Sequence, residues 1–216
     1  MRRLLLIPLG AALAVAGVAA APAKQPAAPA SPDAIVAYHD SGDWARDTTR
    51  AIDRAEGFLA AHANRTGTRR PALVLDIDDT ALSSYDCLRA AGFDRSAMTT
   101  CAKDATLSAV PQTRALYQQA RRSGVTVFFV TGRREAMRAA TRRNLRRQGF
   151  RGTLRITMRA EGPRRGSNAQ YKARSRRAIE RRGYRVVVNV GDQRSDLSAG
   201  PALRQVKLPN PMYVTH

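Results

Sequence analysis

Cysteine, lysine and aromatic side chains are all scarce in this 216-residue chain: two Cys, four Lys, and 6% Phe, Trp and Tyr. Two thiols cannot build a disulfide scaffold, nor a four-thiolate zinc site. With few rings, the chain is a poor stacking platform for single-stranded nucleic acid. Acidic residues number 17 against 37 basic ones, a formal charge of +20. No period of about 20 to 50 residues recurs, which excludes a solenoid. Against these scarcities, 44% hydrophobic and 25% charged residues are the balance of a folded globular chain. The length suits one domain with a small insertion.

The four lysines are Lys24, Lys103, Lys172 and Lys207; the other 33 cations are Arg. They fall in pairs from Arg69-Arg70 to Arg181-Arg182, a spread that reads as solvated helix faces. The sharper reading is an anionic partner. Arg138, Arg142 and Arg146 at i, i+4, i+8 would form a basic stripe for non-specific nucleic-acid or anionic-surface binding.

Met1-Arg2-Arg3 is a short basic start, followed by an apolar run from Leu4 to Ala21 and a cluster of small residues to Ala23. That layout predicts a secretory signal peptide over 1–23, cleaved after Ala20 or Ala23. The competing reading is an uncleaved membrane anchor. Residues 24–32, rich in Pro and Ala, read as an extended linker, and the folded domain is expected over 33–216. Export implies a secreted, periplasmic or wall-associated protein with no stable membrane insertion after cleavage. An oxidising compartment would favour a Cys87–Cys101 disulfide over two free thiols.

Apolar residues recur at helical spacing over 44–62. A buried-strand pattern over 72–77 follows Pro71. Further helices are expected over 112–122, 135–148 and 167–182. Strands are expected over 125–130, 154–158 (weaker), 185–190 and 205–208. This alternation implies an α/β fold: a Rossmann-like, three-layer parallel sheet with an N-terminal helical extension.

Such sheets bind ligands beyond the carboxyl ends of their strands. Polar residues gather there: Asp76-Ile77-Asp78-Asp79-Thr80, then Thr131-Gly132-Arg133, then Gly191-Asp192. Carboxylates as close as Asp76 and Asp78 would repel without a cation, and hard oxygen ligands suit Mg²⁺. Asp192 and Asp196 add carboxylates from a second strand end. For Asp79 and Thr80 a helix N-cap is the simpler reading. Lys172 is informative because Lys is so rare here; its compact ammonium can approach a carboxylate and a phosphoryl oxygen together. The Thr131 hydroxyl and backbone N–H groups at Gly132 can hold an anion. These groups together describe a phosphoryl-transfer site.

The same segments resemble the haloacid dehalogenase (HAD) superfamily, and within it the secreted acid phosphatase branch of class B and C enzymes and plant vegetative storage proteins. Asp76-Ile77-Asp78-Asp79-Thr80 matches Asp-x-Asp-x-Thr. Phe128 to Arg133 matches the second motif and Lys172 the third. Gly191-Asp192-Gln193-Arg194-Ser195-Asp196 matches Gly-Asp-x-x-x-Asp, and Lys207 to Tyr213 resembles the branch's ending.

The resemblance implies roles. Asp76 would be the nucleophile and Asp78 the general acid and base. Thr131, Gly132 and Lys172 would bind the phosphoryl group. Asp76, Asp192, Asp196 and the Asp78 backbone carbonyl would hold Mg²⁺. A small helical cap is expected at about 83–110, carrying both cysteines and Tyr85, Phe93 and Met98, which either face the substrate or pack in the core. The activity implied is Mg²⁺-dependent hydrolysis of small organic phosphomonoesters. Phosphotransfer to an alcohol and a purely basic binding role are the alternatives.

Overall fold

A computed structural model describes residues 29–163 and 165–215 of the chain. The elements are α1 (Pro32–Asp40), α2 (Asp43–His62), β1 (Arg70–Leu75), β2 (Leu82–Ser83), α3 (Tyr85–Ala90), α4 (Met98–Asp104), β3 (Ser108–Ala109) and α5 (Pro111–Arg122). They continue through β4 (Thr126–Arg134), α6 (Arg138–Arg147), β5 (Arg155–Arg159), α7 (Asn168–Arg181), β6 (Tyr184–Gly191), α8 (Arg194–Leu197) and β7 (Arg204–Lys207). Strands β5-β4-β1-β6-β7 form one sheet in that order, every pairing parallel. The apolar runs of β1, β4 and β6 lie at its centre because both faces there are covered.

Alternation along the strands sends side chains to two cores. Leu73, Leu75, Val127, Phe129, Val188 and Val190 pack with Ala51, Ile52, Ala55 and Leu59 of α2 and with Leu116 and Leu145 of α5 and α6. Ala72, Val74, Phe128, Val130 and Val186 face the other way, against Ile179 of α7. The register skips Val187 between Ala72 and Leu73; this bulge turns Val187 into the first core.

Two boundaries differ from the sequence pattern. β1 stops at Leu75, not at 77, because the N–H groups of Thr80, Ala81 and Leu82 all converge on the Ile77 carbonyl. β4 runs past Val130 to Arg134, so the expected helix from 135 opens with a single 3₁₀ turn, Glu135–Met137, before α6. The N-cap expected of Asp79 or Thr80 is also different. Asp79 adopts a left-handed φ of 52°, which Asp tolerates better than most residues, and its carboxylate accepts from Ser84 N–H at 2.8 Å. Ser84 is itself the residue preceding α3. The Thr80 hydroxyl turns to Asp192.

The antiparallel pair β2–β3 makes a two-residue stem for everything between β1 and α5. Above it, α3 and α4 are joined by the Cys87–Cys101 disulfide, with Cα atoms 5.9 Å apart. Tyr85 and Phe93 take the core-packing alternative. They pack with Ile35 of α1, Leu88, Met212 and Tyr213. His39 is stacked between Trp44 and Tyr85, centroids 4.6 and 3.6 Å away.

The expected signal peptide over 1–23 and most of the linker lie outside the described residues. The Ala30 N–H donates to the Pro211 carbonyl at 2.9 Å, and Ser31 caps α1. Among the described residues, no helix is long and apolar enough to cross a membrane.

Candidate active site

Asp76 follows β1 and its N–H still pairs with the Val190 carbonyl of β6 at 3.0 Å. Asp192 follows β6 directly. Adjacent parallel strands therefore deliver both carboxylates to one sheet edge. Asp196 joins them from α8. The three offer oxygens within 4.8 Å of one another, and all three residues are buried. Gly191 makes this approach feasible: a Cβ at that position would lie 2.4 Å from the Asp196 Cβ. Neither the glycine nor the spacing of Gly-Asp-x-x-x-Asp is free to vary.

Lys172 reaches the cluster from α7, whose start is fixed by a capping box: Ser167 Oγ accepts from Gln170 N–H and Gln170 Oε1 accepts from Ser167 N–H. The Lys172 ammonium bonds Asp76, the Val130 carbonyl at 2.6 Å and Asp196 at 2.9 Å. One ammonium thus answers two carboxylates. Asp192 accepts from three neutral donors: Thr80 Oγ1 at 3.1 Å, Gln193 Nε2 at 2.6 Å and Asn210 Nδ2 at 2.7 Å.

The titration of the cluster follows from this crowding. Burial, then the charge of Asp196, pushes the Asp76 carboxyl well above the usual range, against the pull of Lys172. Burial and then Asp196 push Asp192 up to about 7. For Lys172 burial works against the charge, but Asp196 and Asp76 outweigh it and raise the ammonium. Buried like charges with too little compensation fit a cation. The donors are all oxygen, the preference of a hard divalent ion.

Backbone anchors hold these groups in place. Arg176 of α7, 1% exposed, donates to the carbonyls of Asp196 and Ser198 at 2.5 and 3.3 Å and also to Ala199. Asn189 donates to the same Asp196 carbonyl at 3.0 Å. Burial pushes the Arg176 guanidinium down to about 10.

Asp78 stands apart from the cluster. Its carboxylate takes a bidentate grip from Arg133, Nη2 at 2.6 Å and Nε at 3.0 and 3.2 Å, while Arg133 Nη1 donates to Thr141 at 3.0 Å. The Thr131 hydroxyl is buried and accepts from the Arg133 N–H at 3.1 Å. Asp76, Asp78, Gly132, Lys172, Asp192 and Asp196 all line one cavity of about 430 Å³; buried Thr131, next to Gly132, is not among its lining residues.

The segment after β7 closes the cavity from the side. Tyr213 Oη donates to the Asp79 carboxylate, and Gln193 Nε2 donates to the Tyr213 carbonyl at 3.2 Å. Thr215 N–H donates to Gln193 Oε1 at 2.9 Å. Burial raises Asp79 to about 6, opposed by the bonds from Ser84 and Tyr213. Arg133, Arg176, Gln193, Asn210 and Tyr213 were not singled out as site residues from sequence. The signal for four of them was in plain view, since Arg133, Gln193, Asn210 and Tyr213 lie inside matched segments. Of the basic stripe, Arg138 is spent locally: it pairs with Glu135 and donates to the Ile156 carbonyl at 3.2 Å.

Both the sequence and the fold are similar to those of known proteins. The model of HAD superfamily subfamily IIIB, acid phosphatase, matches residues 11–216. Acid phosphatase 1 of Solanum lycopersicum is 31% identical over 187 residues, covering 84% of this chain and 73% of its own. Vegetative storage protein 1 of Arabidopsis thaliana is 27% identical over 65% of this chain and 54% of its own. The fold is shared with the class C acid phosphatase of Bacillus anthracis, at a TM-score of 0.69 and 20% identity over 84% of each chain. The chain thus belongs to the acid phosphatases of HAD subfamily IIIB.

Proposed function

We propose that the protein is an exported, Mg²⁺-dependent phosphatase that cleaves small organic phosphomonoesters through an aspartyl-phosphate on Asp76. The observation that carries this is the contact of Asp76 with Lys172 at the floor of the cavity, beside Asp192 and Asp196 and below Asp78.

In the first half, an Asp76 carboxylate oxygen bonds to phosphorus as the ester P–O bond breaks. Asp78 gives its proton to the departing alkoxide oxygen. In the second half, Asp78 takes a proton from water while the water oxygen attacks phosphorus. The Asp76–phosphorus link breaks and inorganic phosphate leaves. Lys172 holds a phosphoryl oxygen as a point charge. The Thr131 hydroxyl, which already accepts from Arg133, keeps its own proton to donate toward the phosphoryl group, beside the Gly132 backbone. Arg133 fixes where Asp78 points. Asp76, Asp192 and Asp196, with the Asp78 carbonyl, would hold Mg²⁺, whose charge neutralises the transferring oxygens when it is bound.

Export is supported by the expected signal peptide over 1–23 and by the disulfide, which belongs to oxidising compartments.

The test is p-nitrophenyl phosphate hydrolysis by the mature chain and by Asp76→Asn, with and without Mg²⁺. Turnover should need both the metal and Asp76, the variant losing roughly 10⁴-fold or more in kcat while remaining folded. Full turnover by Asp76→Asn would remove the assigned nucleophile; equal turnover after chelation would remove the metal.

A further inference from the structure

Two of the cations that line the cavity have no part in phosphoryl transfer. Of the other two, Lys172 answers Asp76 and Asp196 at the floor, and Arg133 answers Asp78 above them. Arg95 and Arg134 also line it, and among the described residues neither pairs with an acidic side chain. Arg95, just before α4, donates through Nη1 to the Val214 carbonyl at 2.9 Å. Arg134, at the end of β4, donates through Nη1 to the carbonyls of Ala160 and Gly162 at 2.8 and 2.5 Å. Main-chain carbonyls hold a guanidinium in place without cancelling its charge, and among the described residues the hydrogen bonds of each use Nη1 alone, leaving the Nη2 and Nε edge without a protein partner. That edge is a planar fork matched to a carboxylate or a phosphate. Holding the forks in advance lowers the ordering cost of a ligand.

Between the forks and the floor, Met98, Ala102 and Met137 give the wall an apolar stretch. Tyr213 is the one ring lining the cavity among the described residues, and the Arg95 guanidinium already lies over its face, 5.4 Å from the centroid. No ring face is left for a nucleobase to stack on.

From these features we propose that Arg95 and Arg134 select phosphomonoesters whose short carbon skeleton carries a second anionic group, a carboxylate or another phosphate. The inference rests on the phosphatase reading of the same site.

Two matched pairs test it on the full chain. 3-Phosphoglycerate against glycerol 3-phosphate differs by a carboxylate, and fructose 1,6-bisphosphate against fructose 6-phosphate by a phosphate. In at least one pair kcat/KM should favour the second anion by about tenfold or more, mostly through KM, since one net charge-assisted contact is worth about that. The pair that responds identifies the anion. The preference should shrink as salt rises. Arg95→Gln and Arg134→Gln should each reduce it by about threefold or more, and the double variant should bring it to about one. Equal kcat/KM within both pairs overturns the inference, as does a preference that survives in the double variant. Turnover without preference removes the selection alone; no turnover of any of the four esters removes the phosphatase reading and the selection with it.

Discussion

Asp76 and Asp192 leave adjacent strands of a five-stranded sheet, whereas Arg95 and Met98 reach the same cavity from a segment tied down by a short stem, a disulfide and a few side chains. The floor gets its precision from backbone. Two β-strands set the carboxylates, and Arg176 and Asn189 hold the Asp196 carbonyl from behind. The cap has no such scaffold. Its helices, six and seven residues long, are too short to persist alone in water. Their order is imposed by the Cys87–Cys101 bond, by packing on α1 and by Arg95 on the tail. The carboxylates thus sit on the part held by the sheet, and Arg95 and Met98 on the part held by side chains and a disulfide.

Four experiments press on that contrast. Replacing Cys87 and Cys101 with Ser should have the largest effect, about 3 kcal/mol of stability from loop closure alone. Denaturant unfolding measures it. Limited proteolysis should then cut between residues 83 and 110 first, and cleavage starting in the sheet would contradict the contrast. Tyr213→Phe comes next, because the buried Asp79 carboxylate loses a donor; about 1.5–3 kcal/mol is expected, read as a lower Tm together with a lower kcat.

Asn210→Ala removes a support of Asp192 rather than the carboxylate itself. Apparent Mg²⁺ affinity should weaken about 10- to 100-fold, seen in activity against Mg²⁺ concentration and in the thermal shift the metal produces. An unchanged affinity would show that the floor needs no such support.

The smallest effect is a pH dependence beside the cap. Burial holds His39 down to about 4, with Asp86 and Asp40 opposing and Arg89 assisting. The unfolded chain therefore binds more protons than the folded one between about 4 and 6.5, so stability must fall as pH drops through that window. His39→Phe keeps a stacked ring and should flatten the dependence. An equal slope in both proteins would place the titration elsewhere.

The floor was readable in the sequence because its logic is local. A continuous apolar run marks a buried parallel strand, and the polar residue that ends it marks the ligand edge. Asp76, Thr131 and Asp192 could be found that way. Contacts made by sequence-distant residues could not. Arg133 grips Asp78 from 55 positions away, and Tyr213 reaches Asp79 from 134. Arg176 looked like one more solvated arginine on a basic helix, yet it is the buried brace of Asp196. In the cap the helices are too short to show a hydrophobic period, so Tyr85 and Phe93 gave no sign that α1 would cover them.

The stem has a further consequence for the history of such a protein. The chain enters the cap at Leu82 and returns at Ala109, directly beside its point of departure. Because the entropy of closing a loop grows only with the logarithm of its length, the stretch between these partners can be lengthened, shortened or replaced wholesale while Asp76 stays where β1 puts it.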